Sequence, residues 1–269
     1  MFKKIILAIY IFSSLKSTAQ TVDEILNQYE IKNGGKEKFA AITTLQYSGN
    51  IKMQMMGMPM NIGVANFIET GKLYRKELSG MFGLKGAYTL VTDTAGYTFA
   101  PTIPSYGDFQ GMEGGIKKME NNVFLENKNK LNAMEEFSTL IDCKSKGFIP
   151  EFVGMATVEK VNCYKIKLTA KDGLIATYFI DATTYLLKQV ELLGKQMMDK
   201  LGLNGGPLSE MMGGNINKQK MAIIYVEYAE INGIKFPTKQ KLQLGAVDVE
   251  IENSEIQINQ TIDKKWYAN

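Results

Sequence analysis

Apolar and polar residues alternate with period two along most of the chain beyond residue 44. From 162 to 170, Tyr164, Ile166, Leu168 and Ala170 fall on one face, and Cys163, Lys165, Lys167 and Thr169 on the other. A strand with one polar face is half-buried, as in an antiparallel sheet. Lys171, Asp172 and Gly173 turn the chain, since Asp-Gly readily supplies the positive φ of a hairpin turn. The next strand, 174–180, is apolar on both faces, with Leu174, Ala176, Tyr178 and Ile180 set against Ile175 and Phe179. Asp181, Ala182 and Thr183 make another turn, and 185–193 runs back. The stretch 151–193 therefore predicts four short strands in succession.

The rest of the chain extends this sheet or covers it. Thr21 and Glu24 form a capping box, and Val22, Ile25, Leu26 and Tyr29 recur at helical spacing until Gly34 and Gly35 stop the helix. A second short helix is expected at 36–42. Strands follow at 45–55, 61–68, 72–78, 84–92 and 95–100, a meander with short turns. Pro101, Pro104, Gly107, Gly111, Gly114 and Gly115 predict an irregular loop over 101–127, and 128–141 a helix. A second Gly- and Met-rich loop is expected at 194–217, then strands at 218–228, 234–244 and 247–258. In the last, the apolar phase moves from odd (Val247, Val249, Ile251) to even (Ile256, Ile258), which predicts a bulge near Asn253 and Ser254.

Eleven or twelve strands without βαβ alternation describe a mainly β chain with a few helices. The expected architecture is one large, curved antiparallel sheet with helices packed on one face. A sheet of this size curls, and an apolar inner face then encloses a cavity suited to an apolar ligand.

The first 19 residues stand apart from this pattern. Lys3 and Lys4, the apolar run 5–15 and the small residues Ser17, Thr18 and Ala19 read as a secretory signal peptide cut before Gln20. The apolar run is too short to span a bilayer. The expected product is a periplasmic, soluble, single domain covering 20–269. Removal of Lys3, Lys4 and Lys16 leaves 28 of the 31 basic residues against 28 acidic ones. A balanced charge disfavours a nucleic-acid partner. Two cysteines, Cys143 and Cys163, in an exported chain are either a disulfide or two separate thiols.

The chain has no histidine, so Ser-His-Asp and Cys-His catalysis and His-ligated zinc are ruled out. The carboxylates are scattered, and Glu135-Glu136 reads as a solvated helix pair. An enzyme is disfavoured and no cofactor is implied. Methionine is the unusual residue, with Met53, Met55, Met56, Met58 and Met60 close together, and Met197, Met198, Met211 and Met212 further on. Such a cluster either holds Cu(I) through thioethers or lines an adaptable apolar pocket.

Four blocks in order carry a family resemblance: NGGKEKFAAI at 33–42 with LQYSG at 45–49, FVGMATVE at 152–159 with NCYKI at 162–166, YFID at 178–181 with YLL at 185–187, and NGIKFP at 232–237. They resemble the outer-membrane lipoprotein-sorting family of the LolA/LolB type, in its divergent Bacteroidota form. The resemblance implies an unclosed β-barrel of about eleven antiparallel strands with helices covering the open side. It also implies a monomeric carrier that binds lipid or lipoprotein acyl chains in a hydrophobic cavity and hands them to a membrane-associated delivery partner. Candidate lining residues are Tyr47, Ile51, Met53, Met55, Tyr164, Ile166, Leu168, Tyr178, Ile223 and Tyr225. Arg75, the chain's one arginine, stands in an early strand either as a carrier's switch residue or as a surface or rim arginine. The alternatives to a carrier are a Met-rich copper(I) protein and a ligand-free interaction domain.

Overall fold

The computed structural model describes residues 20–55, 58–80, 86–105, 110–111, 113–132, 137–201, 218–244 and 247–269. The predicted leader lies outside them. Among the described residues, thirteen strands form one antiparallel sheet. They are β1 (Thr44–Met55), β2 (Met58–Glu69), β3 (Leu73–Ser79), β4 (Ala87–Thr92), β5 (Gly96–Ala100), β6 (Gly115–Lys118), β7 (Ile149–Val158), β8 (Val161–Thr169), β9 (Ile175–Asp181), β10 (Leu187–Leu193), β11 (Lys220–Ile231), β12 (Ile234–Leu244) and β13 (Val247–Ile258). The order across the sheet is 6-5-4-3-2-1-13-12-11-10-9-8-7. The chain thus starts at the centre, walks to the β6 edge, crosses to the β7 edge and walks back until β13 pairs with β1. The two edges do not pair, so the barrel is unclosed.

The sheet curls. One continuous core joins Ile51, Ile62 and Tyr74 from β1 to β3 with Ile166, Tyr178, Val190 and Ile223 from β8 to β11. Residues so far apart along the sheet order share a core only if their faces turn toward each other. The concave face is then covered by α1 (Val22–Asn33), which buries Ile25, Leu26, Tyr29 and Asn33. Its capping box forms as expected, with the Glu24 N–H donating to Thr21 Oγ1 at 3.2 Å and the Thr21 N–H to Glu24 Oε2 at 2.9 Å. Gly34 ends the helix at φ 128°, where a Cβ would lie 2.7 Å from the Gly233 carbonyl oxygen. A glycine there lets the helix end rest on the β11–β12 hairpin. The short α2 (Lys36–Ala40) follows.

Three readings need correction. The loop expected over 101–127 contains β6 and α3 (Asn121–Asn127), and β6 adds a thirteenth strand to the twelve that alternation places. Neither shows a periodic apolar face; β6 exists because β5 offers it an edge. The helix expected at 128–141 is a 3-10 turn at Lys128–Leu131 followed by turns from 137 to 147. Asn129 and Asn132, both poor helix formers, lie in that stretch; Glu135 and Glu136 lie outside the described residues. The loop expected at 194–217 begins with α4 (Gly194–Leu201), whose Lys, Gln, Met and Leu residues favour a helix.

Other readings hold. Between Gln46/Ser48 of β1 and Gln257/Ser254 of β13 the latter carries one extra residue, and Glu255 takes φ 50°. This is the expected bulge, displaced by one or two residues. Cys143 and Cys163 are free and buried, the first in the main core and the second in a small cluster with Val158 and Phe179. They are separate thiols because β8 puts Cys163 on the face opposite to that core.

A second layer covers part of the convex face. Leu73, Leu90 and Ile262 pack there with Phe67, Tyr88, Trp266 and Tyr267. Arg75 belongs to this layer: its guanidinium bonds Glu77 at 2.8 Å, donates to the Ala268 carbonyl at 2.5 Å and lies 4.2 Å from the Tyr88 ring centre. It faces away from the concave side and is neither a rim residue nor placed to act as a switch inside a cavity.

Candidate functional site

Packing does not fill the concave side. A cavity of about 380 Å³ remains between the sheet, α1, α4 and the segments 129–132 and 137–140. Ile68 and Tyr74 reach it from β2 and β3, Tyr178 from β9, Leu187, Val190 and Leu192 from β10, and Tyr225 and Tyr228 from β11. Tyr29 of α1, Phe137 and Leu140 close it from the opposite side. Asn129 and Asn132 are exposed and stand at the mouth with Lys130 and Lys235. The buried Asn33 amide, Gln196 and Lys200 also line it. A mostly apolar lining with a few polar groups is the ordinary form of a small-molecule site, and the volume falls in the usual range.

Five tyrosines line this space. Burial pushes the Tyr29 and Tyr228 phenols well above their ordinary range, and the neighbouring Tyr225 adds to both shifts. They therefore remain neutral hydroxyls at any physiological pH. Tyr228 Oη donates to the Leu187 carbonyl at 2.6 Å, which ties β11 to the start of β10. Asn33 Nδ2 donates to the carbonyls of Tyr29 at 2.7 Å and Tyr185 at 3.2 Å, fixing the end of α1 over the β9–β10 turn. Lys235 is engaged by Glu230 at 2.6 Å.

Of the predicted lining residues, Tyr178 and Tyr225 border this cavity. Tyr47, Ile51 and Ile223 also face the concave side but border a separate internal space of about 30 Å³. Met53 borders an open depression of about 1380 Å³ at the far end of the sheet, together with Met60 and Met221. Tyr164, Ile166 and Leu168 face the same side and pack against core residues without bordering any of these spaces. The backbone of Met55 pairs with Met58, while its side chain lies outside the described residues.

Sequence alternation missed Tyr228, Leu187 and Val190 for one reason. The β11–β12 register shifts between Tyr225 and Tyr228, so two tyrosines three residues apart face the same way. The β10–β9 register shifts between Leu187 and Gln189, with the same effect on Leu187 and Val190. Tyr29, by contrast, lies on the apolar stripe of α1, where helical spacing puts it.

Among the described residues, no group of three or more Cys, Asp or Glu side chains could hold a metal ion. No helix among them is long and apolar enough to cross a membrane.

No protein-family model matches the chain, and no curated protein matches it. Solved structures do. A LolA superfamily protein from Nitrosomonas europaea superposes with a TM-score of 0.53 at 10% identity, covering 93% of this chain and 99% of that one. A structure described as an outer membrane lipoprotein-sorting protein domain, from Vibrio parahaemolyticus, gives 0.53 at 8% identity, covering 91% and 94%. The class is thus an unclosed, curved antiparallel sheet with helices on its open side. This chain has the LolA/LolB-like fold.

Proposed function

We propose that the chain is an exported, non-enzymatic lipid carrier that shelters an acyl chain in the tyrosine-lined cavity. The cavity itself carries the reading: about 380 Å³ kept open inside a curled sheet, lined mainly by aliphatic and aromatic side chains with Asn33, Gln196 and Lys200 among them. An acyl chain placed there leaves water and gains contact with Ile68, Leu187, Val190 and Phe137, which is favourable in proportion to the apolar area covered. The likeness to a lipoprotein-sorting domain supports the same ligand class. The leader supports a periplasmic location for a single mature domain of 20–269, acting as a monomer that meets a membrane-associated partner for delivery.

A second reading rests on the pairing of Met53 with Met60 across β1 and β2, with Met221 bordering the same depression. Thioethers gathered there suit Cu(I).

Native mass spectrometry of protein purified from its own periplasm separates the two. Co-purified lipid that is lost when Tyr178→Glu places a charge in the cavity supports the carrier. Stoichiometric copper with no lipid supports the metal site and overturns the carrier.

A further inference from the structure

Asn66 is out of keeping with its surroundings. It lies on the concave face of β2 in line with Ile62, Val64 and Ile68, and it is 0% exposed. Neither its side-chain oxygen nor its nitrogen has a hydrogen-bond partner among the described residues. A buried amide left unpaired carries a desolvation penalty that an apolar residue at the same position would avoid.

Sheet register gives Asn66 polar neighbours. It pairs with Tyr47 on one side and Lys76 on the other. All three border the 30 Å³ space, together with the buried Gln240 amide and Lys200 of α4. A space of that size holds roughly one or two water molecules, or one carboxylate group. Lys76 Nζ donates to the Lys200 carbonyl at 3.0 Å. Glu252 also borders the space, but Lys52 holds its carboxylate at 2.5 Å. The unpaired Asn66 amide, with the Gln240 amide and the Lys76 ammonium bordering the same space, presents donors to an anionic group. Lys200 of α4 borders the 380 Å³ cavity as well, so the polar space and the apolar one share a wall residue.

We propose that Asn66, with Gln240 and Lys76, seats the carboxylate of a free fatty acid whose chain extends past Lys200 into the tyrosine-lined cavity. The proposal rests on the carrier reading and narrows its ligand, because an esterified acyl chain brings no carboxylate to this seat.

The test is a titration of the delipidated full chain with palmitate and with methyl palmitate, on the natural protein, Asn66→Leu and Gln240→Leu. The natural protein is expected to bind palmitate at least about tenfold more tightly than its methyl ester. Asn66→Leu should erase that preference by weakening the acid more than the ester. Without ligand it should melt no lower than the natural protein, since an unsatisfied amide gives way to an apolar group of similar volume. If Asn66→Leu does not fold, loss of the preference in Gln240→Leu carries the same conclusion. Equal affinity of the natural protein for acid and ester overturns the fatty-acid seat but leaves the carrier standing; failure to bind either one overturns both. A lower melting temperature with an intact preference marks Asn66 as a water-bridged structural residue and also overturns the seat.

Discussion

Arg75 and Lys76 are consecutive on β3 and serve opposite faces of the sheet. Arg75 donates to the Ala268 carbonyl at 2.5 Å on the convex side, and Lys76 donates to the Lys200 carbonyl at 3.0 Å on the concave side. Successive side chains of a strand point to opposite faces, so one dipeptide fastens both the segment around Ala268 and α4.

The concave contact holds the last turn of α4, where free carbonyls and the helix dipole favour a cation. Lys76→Met keeps the volume and removes the charge-assisted bond. Amide exchange over 194–201 is expected to quicken about tenfold, with β1, β2 and β13 unchanged. Hydrogen-exchange mass spectrometry checks it; uniform protection across α4 in the variant would show that Met197 and Met198, both fully buried, hold the helix without Lys76.

The convex contact should matter for stability alone. Arg75→Ala loses bonds to Glu77 and Ala268 and its stacking on Tyr88, and is expected to cost about 2–3 kcal/mol in urea unfolding. Lipid uptake by the folded variant should match the natural protein, because Arg75 borders no part of the cavity.

The same layer is expected to loosen at both extremes of pH. Lys72 first, and then the Tyr267 hydroxyl, hold the Glu69 carboxyl below its usual range. A depressed carboxylate contributes stability that is complete above its unfolded pKa and is lost as pH falls through the folded value. Burial, helped by Glu69, pushes the Tyr267 phenol up to about 12. A raised phenol contributes stability below its ordinary pKa near 10 that is lost as pH rises through about 12. Trp266, the only tryptophan, stacks on Phe67 with ring centres 4.1 Å apart and reports the change. Its fluorescence should be flat from about pH 5 to 9 and move on either side.

Filling the cavity should remove binding without removing the fold. Val190 is 2% exposed and borders the 380 Å³ space, so Val190→Trp places the added ring where the ligand would lie. Affinity for an acyl chain should fall at least tenfold, at a stability cost of about 1–3 kcal/mol from overpacking. Isothermal titration with thermal melting gives both figures, and undiminished affinity would place the ligand elsewhere.

Cys143 and Cys163 should stay reduced in an oxidising compartment. They are free, buried and on opposite faces, and burial pushes both thiols up. Maleimide labelling of the folded chain is expected to be on the order of a hundredfold slower than in denaturant. A mass shift of two hydrogens on reduction would contradict this.

Local chemistry was enough to place most of the elements. The alternation through Tyr164, Ile166 and Leu168 marks β8 and its inner face; the Thr21–Glu24 box and the Gly34-Gly35 pair bound α1; the change of phase before Ile256 marks the bulge. Each depends on neighbours within a few residues, so the residue order alone determines it. The boundaries of the cavity do not. Tyr228, Leu187 and Val190 face inward because register slips while strands pair. β6 exists because another strand offers it an edge, and α4 is buried because the sheet curls around Met197 and Met198. Asn66 becomes an unpaired amide only once β1 and β3 close on either side of it. Those outcomes depend on long-range pairing and on the volume left over when thirteen strands bend together, and neither quantity is written in a local period.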